Sequence, residues 1–229
     1  MEERNVVKFK KEEFAMKNYI KTNLGKGKVS RVRIEYTPVG EKVIISTAKP
    51  GLVIGRGGET INELTQVLKR VFHFENVHIE IDEIKVQELD AQLMADEIAL
   101  SLERFGPIRF KVIAYKTLQR IVEAGALGVE LRLNGKLPSS RAKSWRFAQG
   151  YLKKTGESAN VVDVAHSTAQ TKPGTVGIKV SILRPDAKLK DRIPLDDELF
   201  EKLNKNVEGM KNEETPAKKK KKTKRKAEK

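Results

Sequence analysis

The 229-residue chain contains no cysteine. That excludes disulfide scaffolds, thiolate metal sites and cysteine nucleophiles, and it suits a reducing cytoplasm. Aromatic residues are scarce at 6%, with a single tryptophan, Trp145. No apolar run approaches the ~20 residues of a membrane-spanning helix. The N-terminus, MEERNVVKFKKEEF, has no apolar stretch behind its charges and so does not read as a secretory signal. A soluble cytoplasmic protein without a membrane partner is expected. Histidine is limited to His73, His78 and His166. His73 is expected to close a helix and His78 to point outward from a strand, and neither is followed by a second ligand at metal spacing. His166 next to Ser167 makes no triad without a placed aspartate, and Asp163 three residues away in a strand-like stretch does not supply one. Neither metal nor cofactor, small-molecule substrate nor enzymatic chemistry is expected.

Positive charge is abundant. Lys and Arg number 46 against 31 Asp and Glu, a formal net charge of +15 and a pI near 9.8. That is the electrostatic footprint of a nucleic-acid binder. Lys211 to Lys229 carries +7 of it, leaving +8 on the remainder. The segment from Pro216 onward, PAKKKKKTKRKAEK, has no large apolar side chain and cannot offset its ordering entropy. It is expected to be a disordered polybasic tail. The acidic stretch from Asp196 to Glu201 ahead of it reads as a solvated helix start.

The length allows one large domain or two small ones. Val6 to Leu24 reads as a helix ended by Gly25 and Gly27. Val29 to Thr37 alternates, with Val32, Ile34 and Tyr36 on one face and Arg31, Arg33 and Glu35 on the other. Pro38-Val39-Gly40 is a turn, and Glu41 to Ala48 a second strand. Four glycines follow within eight residues, Gly51 to Gly58, then a helix with Ile61, Leu64, Leu68, Val71 and Phe72 at helical spacing. Val77 to Ile84 is a third strand, with Val77, Ile79 and Ile81 inward. The second half begins with helices from about Leu89 to Phe105 and from Arg109 to Ala124, separated by Gly106-Pro107. Val129 to Leu133 is a strand ending in the turn signal Asn134-Gly135. Strands are expected near Arg141 to Leu152, Val161 to Thr171 and Val176 to Leu183. The pattern is two α+β domains split near Val86 to Asp90, without internal repeats.

The central motif is Val53-Ile54-Gly55-Arg56-Gly57-Gly58-Glu59-Thr60-Ile61. A phosphate-binding P-loop needs Gly-Lys-Ser/Thr where Glu59-Thr60 follows Gly58. A dinucleotide fingerprint from Gly55 would need Gly or Ala at Thr60. The spacing that fits is G-x-x-G at Gly55 and Gly58. Glycines let the main chain approach a phosphate without a Cβ in the way, and amides at a helix start favour an anion. Arg56 and Lys49 add charge.

In this context the motif resembles a KH domain of the type II form, whose G-x-x-G loop clamps four backbone nucleotides. PGLVIGRGGETINEL, ELDAQLMADEIALSLERFGPIRF, EAGALGVELRLNGKLPSSRAKSWRF and KPGTVGIKVSILRPDA resemble, in order, the small-subunit ribosomal protein S-three family. The resemblance covers nearly all of Val6 to Lys188 and looks closest to archaeal members. It implies an α+β fold: a type II KH domain over 1–86, then a domain over 87–195 with two helices on a mostly antiparallel sheet. The charged tail is 196–229. It further implies binding of small-subunit rRNA in the head, mRNA at the entry channel, and neighbouring head proteins as partners, with no cofactor.

The candidate RNA contacts fall in three groups. The first is the loop: Lys49, Gly55, Arg56, Gly57 and Gly58. The second is the helix after Gly106-Pro107. There Arg109, Lys116 and Arg120 lie within about 40° of one another at 100° per residue, and Lys111 joins them through the resemblance. The positions that line the mRNA entry in bacterial members fall on Lys111, Val112 and Tyr115, so only one keeps its charge. The resemblance therefore implies mRNA guidance here, with mRNA unwinding in doubt. The third is the patch Arg141, Lys143, Arg146, Lys153 and Lys154 around Trp145, with the ring expected in the core and the charges outside. Two alternatives stay open: a free KH-type RNA regulator, and lysine Schiff-base chemistry on abasic DNA, to which some eukaryotic relatives are linked.

Overall fold

The computed structural model describes residues 2–37, 40–72 and 76–189. The expected Pro38-Val39 turn, His73, the acidic stretch and the basic tail lie outside the described residues. Helix α1 (Glu2–Leu24) is followed by β1 (Arg31–Thr37), β2 (Gly40–Thr47), the one-turn α2 (Pro50–Ile54), α3 (Glu59–Phe72) and β3 (Val77–Glu83). The α-β-β-α-α-β order is the one expected of a type II KH domain. The sheet runs β1-β2-β3, with β1 and β2 antiparallel and β2 and β3 parallel. The parallel pair needs a crossover, and α2–α3 supplies it. Met16, Ile20 and Leu24 on α1 and Leu64 and Leu68 on α3 bury against Val32, Val43 and Ile45 to form the first core.

The second half is α4 (Ala91–Phe105), α5 (Phe110–Glu123), β4 (Gly128–Gly135), β5 (Lys143–Gly150), β6 (Asp163–Thr171) and β7 (Gly174–Leu183). Its four strands pair in the order β5-β4-β7-β6, all antiparallel. One face carries Val129, Leu131, Leu133, Ile178, Val180 and Ile182, which bury against Ile98 and Leu102 of α4 and Phe110, Ala114 and Ile121 of α5. The opposite face has no helix on it among the described residues.

Several expectations are corrected. Helix α1 starts at Glu2, four residues early, because Glu2 to Asn5 carry no apolar residue to mark a periodicity. Tyr36 does not join Val32 and Ile34 inside; it is 44% exposed and stacks at 4.7 Å on Phe9 of α1. Asn134-Gly135 is not a turn. Strand β4 runs through both residues, and the hairpin connection is 136–142. Gly135 serves close approach instead, since a Cβ there would lie 3.1 Å from the Thr175 carbonyl of β7. Val161 lies in a single 3₁₀ turn, Glu157–Val161, ahead of β6.

Polar bonds join the halves at their junction. Asp90 caps α4 by accepting from the N–H groups of Gln92 (3.0 Å) and Leu93 (3.1 Å). Its other oxygen accepts from the buried Ser30 hydroxyl at 2.6 Å. Nearby, the Gly27 N–H donates to Asp96, Lys26 pairs with Glu103, and Arg31 pairs with Asp163. Asp90→Ala removes a cap and strands a buried hydroxyl, so a loss of roughly 2–3 kcal/mol in urea unfolding is expected. Asp90→Asn, which keeps a capping oxygen, should lose less than half of that.

Candidate nucleic-acid interface

Lys49 is exposed and stands as the N-terminal cap residue of α2, its backbone N–H donating to the Thr47 hydroxyl at 3.1 Å. Pro50 opens α2, where no backbone donor is needed. Short as it is, α2 was not readable from periodicity. It anchors the loop by burying Val53 completely while leaving Leu52 (50%) and Ile54 (39%) at the surface. Gly55 then turns the chain at φ 76° and ψ −174°, and a 3₁₀ turn, Arg56–Gly58, leads into α3. A Cβ on Gly55 would sit 2.2 Å from the Thr60 hydroxyl, so conformation and space both demand glycine. Gly57 takes the left-handed φ 59° and ψ 20° with nothing within 4 Å of a notional Cβ. The loop thus presents bare main chain to solvent. Arg56 is exposed at its tip, and Leu52 and Ile54, from the apolar run before the glycines, stay at the surface as an apolar flank. The middle residue of that run alone is core.

The second candidate group divides. Arg109 is exposed in the turn before α5. Lys111 is exposed, its Nζ 4.9 Å over the Trp145 ring in a cation–π contact. Lys116 is exposed too. Between these two lysines, at helical spacing, run Ile108 (80% exposed), Val112 (67%) and Tyr115 (61%). Arg120 turns away toward α4 and pairs with Glu97 at 2.5 Å and Glu88 at 3.2 Å. The Glu97 carboxylate, with Glu88, raises the guanidinium pKa further. Arg120 therefore enters a cleft of about 460 Å³ with Lys49, Glu97 and Arg104. Arg104, in the last turn of α4, is a cation the sequence reading passed over.

The third group surrounds β5. Trp145 is half-buried and packs at 5.2 Å on Phe110, at the edge of the core. Arg141 and Lys143 are exposed on the hairpin. Alternation puts Arg146 on the helix-free face. There it pairs with Glu130 at 3.1 Å, as Lys154 does at 2.5 Å and Arg132 at 2.5 Å. Lys153 is partly buried and engaged in contacts of its own. Glu130 is only 3% exposed. Burial pushes its pKa up, but the Lys154, Arg132 and Arg146 hydrogen bonds outweigh burial and hold it at about 2.

Among the described residues, no helix is long and apolar enough to cross a membrane, and no group of three or more His, Asp and Glu is placed to hold a metal.

Comparison with known proteins matches this architecture half by half. Residues 15–91 match the KH domain model, and residues 98–182 match that of ribosomal protein S3, C-terminal domain. The chain is 40% identical over 194 residues to small ribosomal subunit protein uS3 of Methanocaldococcus jannaschii, covering 84% of this chain and 92% of that one. It is 40% identical over 178 residues to the Methanosphaera stadtmanae protein of the same name, covering 77% and 70%. It is 35% identical over 196 residues to that of Methanococcus maripaludis, covering 85% and 92%. A G-x-x-G loop between α2 and α3, a second sheet backed by two helices, and relatives matched along most of both chains lead to one assignment: this chain belongs to the uS3 family of small ribosomal subunit proteins.

Proposed function

We propose that this chain is a structural constituent of the small ribosomal subunit, binding rRNA in the head and lining the mRNA entry channel. The observation that carries this reading is family membership along both halves, joined to a loop of bare main chain at Gly55–Gly58. The reading divides the chain into a KH domain over 1–86, a carboxy-terminal domain over 87–195 and a charged tail over 196–229. Lys49, Gly55, Arg56, Gly57 and Gly58 hold an RNA backbone. Arg109, Lys111 and Lys116 face mRNA, while Arg120, paired to two carboxylates, positions α5 against α4. Arg141, Lys143, Arg146, Lys153 and Lys154 meet rRNA, acting mainly by phosphate neutralisation. Neighbouring head proteins are the protein partners, the ribosome is the cytoplasmic location, and the role is binding without catalysis.

Sucrose-gradient sedimentation of a cell extract tests it. The protein is expected with small subunits at about one copy each, through a moderate-salt wash. A pool mostly at the top of the gradient would favour a free RNA regulator and overturn the ribosomal assignment.

A further inference from the structure

The strand register of the second sheet lines up three cations and a histidine that are far apart in sequence. Arg132 on β4 lies opposite Arg146 on β5 and opposite Lys179 on β7. Lys179 in turn lies opposite His166 on β6. Their neighbours Leu131, Leu133, Phe147, Ile178, Val180 and Ala165 bury in the helix-backed core, so alternation sends all four to the helix-free face. The row Arg146–Arg132–Lys179–His166 therefore crosses every strand of the sheet. At about 4.8 Å per strand it spans about 14 Å.

Like charges directly opposite one another destabilise a sheet, and here three cations stand side by side. Among the described residues, the carboxylate paired with Arg132 and Arg146 is Glu130, which sits in the adjacent row between Ala148 and Ser181. It is buried beneath Arg132, Arg146 and Lys154 and holds them in place without presenting itself to solvent. Glu130 against Arg132, Arg146, Lys154 and Lys179 leaves a surplus of positive charge on the face. Apart from the exposed Val164, the rows on either side are small or polar: Ala148 and Ser181 with Glu130, then Ser144, Asn134, Gly177 and Thr168. These flanking rows carry no aromatic ring, and the guanidinium and ammonium groups of Arg132, Arg146 and Lys179 are matched to phosphates.

We propose that this face is an RNA-binding surface separate from the Gly55–Gly58 loop, taking the phosphodiester backbone of double-helical RNA along the Arg146–Arg132–Lys179–His166 row. Arg132, Lys179 and His166 are its added members beside Arg146 and Lys154. The surface rests on the RNA-binding reading above, extends its β5 patch across the sheet, and takes a ligand of a different shape from the loop's: duplex backbone here, single strand at the loop.

The test is fluorescence anisotropy of the full chain with a 20-base-pair RNA duplex of arbitrary sequence and with single-stranded (U)20, each over a salt series. Arg132→Gln with Lys179→Gln is expected to weaken duplex binding about 10-fold or more and to lower the salt slope by about two, with (U)20 binding changed less than about two-fold. Thermal unfolding monitors the fold of this variant, because Arg132 also pairs with Glu130. Lys179→Gln alone, which removes no ion pair described for the protein, is expected to give about a 3-fold loss and a slope change of about one. Lys179→Arg should bind as the wild type does. Unchanged duplex affinity and slope in folded variants, with wild-type binding intact, overturn the surface and leave an acidic protein neighbour as its occupant. Failure of the wild type to bind either RNA overturns the parent reading itself.

Discussion

Replacing Arg56 and Gly57 together by aspartate is expected to weaken binding of the full chain to single-stranded (U)20 by at least about 30-fold at low salt. The double change removes one positive charge and adds two negative ones where the main chain is meant to meet phosphate. The fold should survive it. Gly57 sits at φ 59° and ψ 20° with open space around a notional Cβ, and aspartate tolerates that left-handed conformation better than most side chains. Arg56 is exposed. Unfolding free energy should stay within about 1 kcal/mol of the wild type. Gly55→Ala is the contrasting change. Its methyl would meet the Thr60 hydroxyl at 2.2 Å, so that variant should lose stability as well as binding. Undiminished (U)20 affinity in the double aspartate variant would remove the loop from the RNA-binding reading.

The loop was legible because glycine spacing, flanking apolar residues and a following helix are all local features of the chain. So was the order of elements: alternation marked β1, β3 and β7, and Gly106-Pro107 marked the break between α4 and α5. Three departures from the local pattern share a physical cause. Tyr36 alternates correctly, yet the inside of β1 ends before it, where Phe9 of α1 lies against the ring. Asn134-Gly135 has turn chemistry, but tertiary pairing with both β5 and β7 holds those residues extended. Arg120 lies on the same helical stripe as Lys116, yet two carboxylates that approach from the α4 side bind it, one 23 and the other 32 positions away in sequence. In each case long-range packing overrode a local rule. The transverse row of three cations and a histidine is the extreme example. Arg132, Arg146, His166 and Lys179 share no motif, and only the register of four antiparallel strands makes them neighbours.

Glu130 links the stability of that sheet to its charge. Its pKa is depressed from 4.5 to about 2 in the folded protein, so the folded state holds the carboxylate charged more tightly than the unfolded chain does. That stabilisation is complete above the unfolded value and is lost as the pH falls through the folded one. The shift corresponds to about 3 kcal/mol at most, and the partners are near half exposed, so solvent screening lowers it to about 2 kcal/mol. Glu130→Gln is therefore expected to cost about 2 kcal/mol at pH 7. The difference from wild type should shrink steadily below about pH 4.5 and nearly vanish near pH 2. The same substitution raises the charge of the helix-free face by one. Duplex RNA affinity should then rise about 3-fold at low salt, with a salt slope steeper by about one. Lower stability with tighter binding is a combination that simple damage to the fold does not produce. Urea unfolding at pH 7 and pH 3, beside duplex anisotropy at pH 7, separates the possibilities. A stability loss that is the same at both pH values would mean that Glu130 acts by shape and hydrogen bonding, not by charge. A stability loss with no gain in affinity would mean that RNA does not meet the face that Glu130 underlies.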